Sequence, residues 1–471
     1  MTKETYTDQI YQELVSLVGE NYVRDDLYER ISYASDPMPY DLRNNNIPDI
    51  VVKPGNTEEV ASILKLANEK KIPVVIHGSG TALHGNTRPK RKGILLNTSR
   101  LNNFKINEDY MYFTCGPGAV CIDVMNALES EGYFLPLYPG SLLSATMGGL
   151  VAINTIGHMV DSCFGKPINH VLALEVVLPN GEIIKTGSDS LRKPAGIDLT
   201  RFFVGSEGLF GVITEMKMAL VRKPERAYVV GFFEDLHSIG KAWIKVYREK
   251  IPLPIYGEFL DKKTAEHGFE MKGLEPPENP LTMATAIGEN QEAALINAEN
   301  ICRVFEQEDA IEARVLEDKE EQVKIWETRN FILHVAEGGG GIALIECVAA
   351  LPHLANAMVD LQNIPENLSV WKKLPYYAFG HVGSLGLHGM FVIPKDMSDD
   401  DRRKGMKELM KIEKEINLKY EACGGEWGQM THRVPFFKEK YGEVAYDLLK
   451  DLKRTFDQNN ILNPGNLEGE L

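Results

Sequence analysis

The sequence predicts an α+β protein of two lobes, and three observations carry that expectation. At 471 residues the chain exceeds the size at which one hydrophobic core keeps growing, so it divides. A strand–helix–strand unit opens the first lobe. Beyond Pro224 the texture changes to apolar strands such as RAYVVGFF, TMATAIGE and IALIECVAAL alternating with amphipathic helices, the pattern of an antiparallel sheet with helices packed on it.

Taken in order, residues 5–18 read as a helix, with Ile10, Leu14, Leu17 and Val18 at helical spacing. IPDIVVKP (47–54) is a strand, TEEVASILKLANEKK (57–71) a helix N-capped by Thr57, and PVVIHG (73–78) a second strand. Between 110 and 220 short strands alternate with turns, and Pro-Asn-Gly within LEVVLPNGEIIK marks a hairpin. The boundary between lobes falls near 222. Residues 1–222 form the first domain, 223–430 the second, and 431–471 a C-terminal segment that returns to the first.

Composition narrows the function. A net charge of −16 repels phosphate backbones, which argues against a nucleic-acid partner. The six cysteines are scattered with none at CxxC spacing, which suits reduced thiols in a cytoplasmic protein and gives neither zinc knuckle nor cluster site. The N-terminus lacks the charged start and continuous apolar core of a signal peptide. No apolar run approaches the roughly 18 residues of a membrane span.

Three glycine-rich segments carry the chemistry. HGSGTALHG (77–85) follows a strand, but Leu83 stands where a Rossmann fingerprint needs its third glycine and no acidic residue follows at the required distance. Such a loop suits direct contact between backbone amides and a pyrophosphate. PGSLLSATMGGLVAINTIGH (139–158) has little side-chain volume, so its backbone lies against another segment or a planar ligand. The third segment is RKPAGIDLTRFFVGSEGLFGVITEM (192–216).

In order and spacing these segments resemble the FAD-binding domain of the glycolate oxidase and D-lactate dehydrogenase family, whose fold is the PCMH/vanillyl-alcohol-oxidase type with a substrate-binding cap domain. The resemblance runs from about residue 30 to the closing ILNPGN. It implies a pyrophosphate loop of Gly78, Ser79, Gly80, Thr81, Ala82 and Leu83. It places Pro139, Ser141, Thr146, Gly148, Gly149, Asn154 and Gly157 around the flavin and its ribityl chain, Val212 and Ile213 at the adenine or isoalloxazine end, and Asn463 near the flavin. Neither His77 nor His84 stands in a pattern used for covalent attachment, so FAD is expected to be non-covalent.

His381 and His388 in YYAFGHVGSLGLHG straddle a turn, and two such histidines with a carboxylate from elsewhere make a metal site, although histidines at this spacing are also common as structural residues. The resemblance implies that both are ligands of a divalent ion (Fe, Zn or Mn), with Glu426 of GGEWGQ the third. Three positions depart from the family pattern. Ser384 and Gly386 replace an acidic and an amide residue within the histidine motif, and Trp427 replaces the histidine that resembles a catalytic base in relatives. His432 is the nearest alternative base in sequence, against its reading as an ordinary surface or core histidine. Arg329 matches the arginine that holds the substrate carboxylate, which a guanidinium does through a bidentate pair.

The implied activity is oxidation of a small 2-hydroxy acid such as lactate, with the metal acidifying the hydroxyl, Arg329 holding the carboxylate and hydride passing to flavin N5. The GEWG variant resembles the catalytic subunits of lactate dehydrogenases that pair with an electron-transfer flavoprotein and couple to NAD and ferredoxin. Alternatives are a glycolate or 2-hydroxyglutarate dehydrogenase with another acceptor, or a catalytically silent FAD-binding assembly subunit.

Overall fold

The structure is a computed structural model that describes residues 3–34, 46–83, 85–155, 157–192, 196–330, 341–422 and 433–468. The first lobe holds two principal sheets. In the four-stranded sheet, Ile50–Val52, Ile94–Asn97 and Val74–His77 run parallel, with Val23–Arg24 antiparallel at one edge. These parallel strands are nearly continuous apolar runs because both faces are covered. The crossover helix Thr57–Lys70 buries Val60, Ile63, Leu64 and Ala67 against them. Its N-cap is Asn56 rather than Thr57: the extended Asn56 accepts from Glu59 N at 2.8 Å. The Thr57 hydroxyl instead donates to Glu175 Oε1 at 2.6 Å, tying the helix to the neighbouring sheet.

That second sheet is five-stranded and antiparallel, in the order Phe104–Asn107, Tyr112–Cys115, Val212–Ala219, Val171–Val177, Ile183–Gly187. Its last two strands form the hairpin read from Pro-Asn-Gly, with Gly181 at φ +87° in the turn.

The second lobe is a seven-stranded sheet in which every pairing is antiparallel. Alternation gives it two distinct faces. Ala343, Ile345, Ala378 and Phe391 join the helices Leu236–Arg248, Gln291–Gln307 and Leu354–Gln362 in one core. Leu344, Phe379 and Met390 point the other way, toward the helices Lys262–Met271 and Lys319–Asn330. Among the described residues no helix is long and apolar enough to cross a membrane.

After the helix Glu443–Phe456 the chain lies beside Val74–His77: Val74 N donates to Ile461 O and Asn463 N to Val74 O. Lys453 secures this return from within the core, donating to Leu209 O, Leu462 O and Asp457 Oδ2 at 2.8, 2.7 and 2.6 Å. Asp457 in turn accepts from Ile461 N and Leu462 N. Replacing Lys453 with Met leaves a buried carboxylate without its cation, a defect worth about 3–5 kcal/mol. The K453M variant is expected to unfold at a clearly lower urea concentration, and an unchanged midpoint counts against this role.

Candidate functional site

The loop after Val74–His77 is shaped from below. The Gly78 carbonyl is turned inward, accepting from Asn97 Nδ2 at 3.1 Å and lying 2.9 Å from His77 Nδ1. Burial holds the His77 imidazole below its ordinary pKa, so it is neutral and donates through Nδ1. Its ring occupies the space under Gly80, where an added Cβ would stand 2.8 Å from Nε2. Gly80 also sits at φ +74°, a conformation glycine adopts without strain.

Residues Gly78–Leu83 line a cavity with about 1090 Å³ of atom-free space, its open mouth included. Pro139, Ser141, Thr146, Gly149 and Gly157 line it too. A second cavity of about 680 Å³ shares Gly78, Thr87, Gly149 and Ile153 with the first. Gly148, Val212, Ile213 and Asn463 line it. The two cavities adjoin through their shared residues, and together their lining holds most of the glycine-rich residues expected to contact a flavin dinucleotide. Of the residues expected around the cofactor, Asn154 alone lines neither cavity. It takes φ +60° at the end of the short helix Met147–Ile153 and accepts from Ile168 N, so its side chain holds two helices together. Asn463 braces the wall it lines, accepting from Ile76 N and donating to Glu207 O.

The end of the first cavity belongs to the cap sheet. Arg329, Leu344, Phe379, His381 and His388 line it, with His158 from the first lobe. Sheet register brings them together. His388 lies opposite both Phe379 and Glu346 on its neighbouring strands, and its ring stands 4.9 Å from that of His381. Arg329, in the last turn of Lys319–Asn330, lies over the Phe379 ring at 4.7 Å.

Beneath them is a carboxylate that sequence reasoning missed. Glu258, on the central strand Tyr256–Leu260, is fully buried. Its Oε2 accepts from Arg329 Nε at 2.5 Å, and its Oε1 lies 2.6 Å from His381 Nδ1 and 3.4 Å from His158 Nδ1. Burial by itself pushes the carboxyl up, but Arg329, His381 and His158 outweigh it and hold Glu258 well below the usual range. His158 is pushed down to about 4 by burial, which exceeds the opposing pull of Glu258, so it is a neutral imidazole. An ionised carboxylate only accepts, so Nδ1 of His381 carries the hydrogen of this contact. One nitrogen or oxygen from each of His158, Glu258 and His381 lies within 4.8 Å of the others. Imidazoles and carboxylates suit divalent ions in general, but both Glu258 oxygens are already engaged, by Arg329 and His381, so Glu258 supports the histidines rather than serving as a ligand. Glu426 and His432 lie outside the described residues. The sequence signal for Glu258 was a carboxylate inside the apolar run IYGEFL; His158, following Gly157, gave none.

The chain matches a family described as "FAD binding domain" over residues 48–187 and one described as "FAD linked oxidases, C-terminal domain" over residues 222–467. It is 30% identical to the glycolate oxidase subunit GlcD of Bacillus subtilis, covering 98% of this chain and 97% of that protein. It is 28% identical to the mitochondrial D-lactate dehydrogenase [cytochrome] of Arabidopsis thaliana, covering 98% and 80%. The structure of p-cresol methylhydroxylase with substrate bound superposes with a TM-score of 0.81 at 18% identity, covering 100% of this chain and 98% of that one. The fold is therefore of the p-cresol methylhydroxylase type.

The loop gives a direct test of cofactor binding. In Gly80→Ala, the positive φ costs about 1–2 kcal/mol and the new methyl meets the His77 ring. FAD affinity, measured by titrating apo-protein, is expected to fall about tenfold or more. Gly132→Ala, with φ +78° and open space around it, serves as the control for strain alone. Equal affinities in the two variants would remove the loop from the FAD site.

Proposed function

The chain belongs to the FAD-linked oxidase family, and from that premise we propose that it oxidises a short monocarboxylic 2-hydroxy acid, lactate being the leading candidate. The observation that carries this reading is that Arg329, His381 and His388 line the same cavity as the Gly78–Leu83 loop. An anion-binding guanidinium and two imidazoles thereby face the space suited to a flavin.

Bound FAD supplies the two-electron acceptor. A divalent ion at His381 and His388, with Glu426 as the third ligand, supplies a Lewis acid that makes a hydroxyl easier to deprotonate. The rest falls to side chains. Arg329 is engaged by Glu258 through Nε, so its terminal nitrogens are the ones to receive a substrate carboxylate, and holding that group fixes the attitude of C2. Nδ1 of His381 is engaged by Glu258, so Nε2 is the nitrogen it would turn to the ion. His158 is too weakly basic to take the hydroxyl proton readily, which leaves that role to His432 or to a partner of the ion. Leu344, Phe379 and Leu83 make the adjoining wall apolar, which suits a methyl group and disfavours the second carboxylate of 2-hydroxyglutarate.

For the acceptor of the flavin's electrons we propose an electron-transfer flavoprotein, coupling to NAD and ferredoxin, on the resemblance carried by Glu426 and Trp427. Lactate-dependent NAD reduction that requires both ferredoxin and that flavoprotein is the test.

The substrate reading is tested by anaerobic flavin bleaching with a panel of D- and L-2-hydroxy acids, before and after chelation. Lactate is expected to bleach the flavin and chelation to slow this strongly. No bleaching by any acid ends the reading, and full-rate bleaching after verified metal removal ends the metal's part in it. The apolar wall has its own test. Leu344→Arg is expected to raise kcat/KM for 2-hydroxyglutarate relative to lactate by about tenfold or more, the worth of roughly 1.4 kcal/mol from one new charge pair. An unchanged ratio in a folded, FAD-loaded variant would show that Leu344 does not select the substrate.

A further inference from the structure

We propose that Glu258 is the positioning residue of this site: one carboxylate oxygen fixes Arg329, the other fixes His381 in its Nδ1-protonated form, and the two functions cannot be set independently. The inference rests on the substrate-site reading above and deepens it. Arg329 and His381 come from unrelated elements, a helix that ends at Asn330 and a strand that ends at His381. Glu258 belongs to neither. It lies on the strand hydrogen-bonded to Tyr376–His381, with Phe259 opposite Gly380 and Leu260 opposite Phe379, a register that sets Glu258 across from His381. The backbone therefore delivers its side chain to the imidazole, and the second oxygen is left to reach the helix.

The same strand anchors the first lobe. Val160 N donates to Ile255 O at 2.8 Å, and Met159 bridges Tyr256. This brings His158 to within 3.4 Å of the carboxylate. Three separately built parts of the cavity wall thus converge on one buried group.

A carboxylate is required by the chemistry of its partners. Arg329 Nε–H and His381 Nδ1–H are both donors, and two donors need two acceptor oxygens. Glutamine has one acceptor and a donor amide. With the acceptor on Arg329, the amide faces His381 Nδ1, and the ring answers by moving its hydrogen to Nε2. The nitrogen offered to the cavity then changes from acceptor to donor.

The experiment uses the full-length, FAD-loaded protein and Glu258→Gln. Long-range ¹H–¹⁵N spectra of histidine-labelled, chelator-treated protein report the tautomer of His381, assigned by loss of its signal in His381→Asn. Wild type is expected to show an unprotonated Nε2 and E258Q a protonated one. Zn²⁺ affinity, measured against a competing chelator, is expected to fall 10–100-fold in E258Q, the usual consequence of losing the partner that orients a ligand histidine. An unchanged tautomer together with an unchanged Zn²⁺ affinity overturns the proposal. If E258Q does not retain FAD, Glu258→Asp decides the matter. Its carboxylate keeps the charge but is one methylene too short to reach both partners, so it releases either His381, changing the tautomer or the Zn²⁺ affinity, or Arg329, shifting that side chain's Nε–H signal in spectra of ¹⁵N-arginine-labelled protein, and all three unchanged overturns the proposal. These readouts involve no hydroxy acid. A wild-type protein inert to the whole substrate panel would end the substrate reading and leave the result for Glu258 standing.

Discussion

A carboxylate without solvent exposure sits at the centre of the cap sheet, and the geometry of the site depends on what it holds. Removing an ion from water costs several kcal/mol even after relaxation, and the cost is recovered only through well-made charge and hydrogen-bond contacts. Glu258 has these on both oxygens. Breaking either contact leaves a buried charge poorly compensated. The arrangement of Arg329, His381 and His158 is therefore held by the same free energy that keeps the carboxylate buried, and these groups are in place before any substrate arrives.

The two sides of the cavity are built on opposite principles. On the first lobe the wall is mostly backbone, and its form is set where side chains are missing. Gly78 admits the Thr146 hydroxyl, which would stand 2.3 Å from a Cβ, and Gly157 lies against the Tyr138 carbonyl. On the cap lobe the wall is made of side chains on one face of a sheet, where alternation decides which residues meet the cavity. A one-residue slip of Tyr376–His381 would turn Phe379 and His381 toward the helical core and send Ala378 and Gly380 to the cavity. A long antiparallel pairing guards against such a slip, six consecutive pairs joining Tyr376–His381 to Gly386–Phe391.

This difference explains what the sequence could and could not reveal. Local features were legible. The crossover helix, the Pro-Asn-Gly hairpin and the three glycine segments are written in short-range patterns, and the error of one residue between Thr57 and Asn56 arose because both are good capping types and only the contact with Glu175 distinguishes them. Asn154 was ambiguous for a similar reason. A small polar residue within a glycine-rich segment reads equally well as ligand contact or helix terminator, and its partner Ile168 lies on another element. Glu258 and His158 were not found because their meaning is entirely long-range: nothing near position 258 indicates that register will place it across from position 381. His381 and His388 were legible as a pair because a single turn joins their strands.

Charge balance links the buried carboxylate to the proposed chemistry. Glu258 and Arg329 neutralise one another, and His158 is neutral. A bound 2-hydroxy acid adds one negative charge to a largely enclosed cavity, and loss of its hydroxyl proton adds a second. In the proposed reaction the guanidinium would orient the carboxylate, but its charge is already shared with Glu258, so it would offset only part of this. Uncompensated charge in such surroundings is strongly disfavoured. A divalent cation on the imidazole side is the partner whose charge matches what the reaction develops, and it would sit where the developing alkoxide needs it. Had Arg329 lacked an internal carboxylate, its full charge would have been available to the substrate and the demand for a metal correspondingly smaller. In the proposed reaction, a clamp whose charge is already shared with Glu258 would leave the rest of the developing charge to a second positive centre.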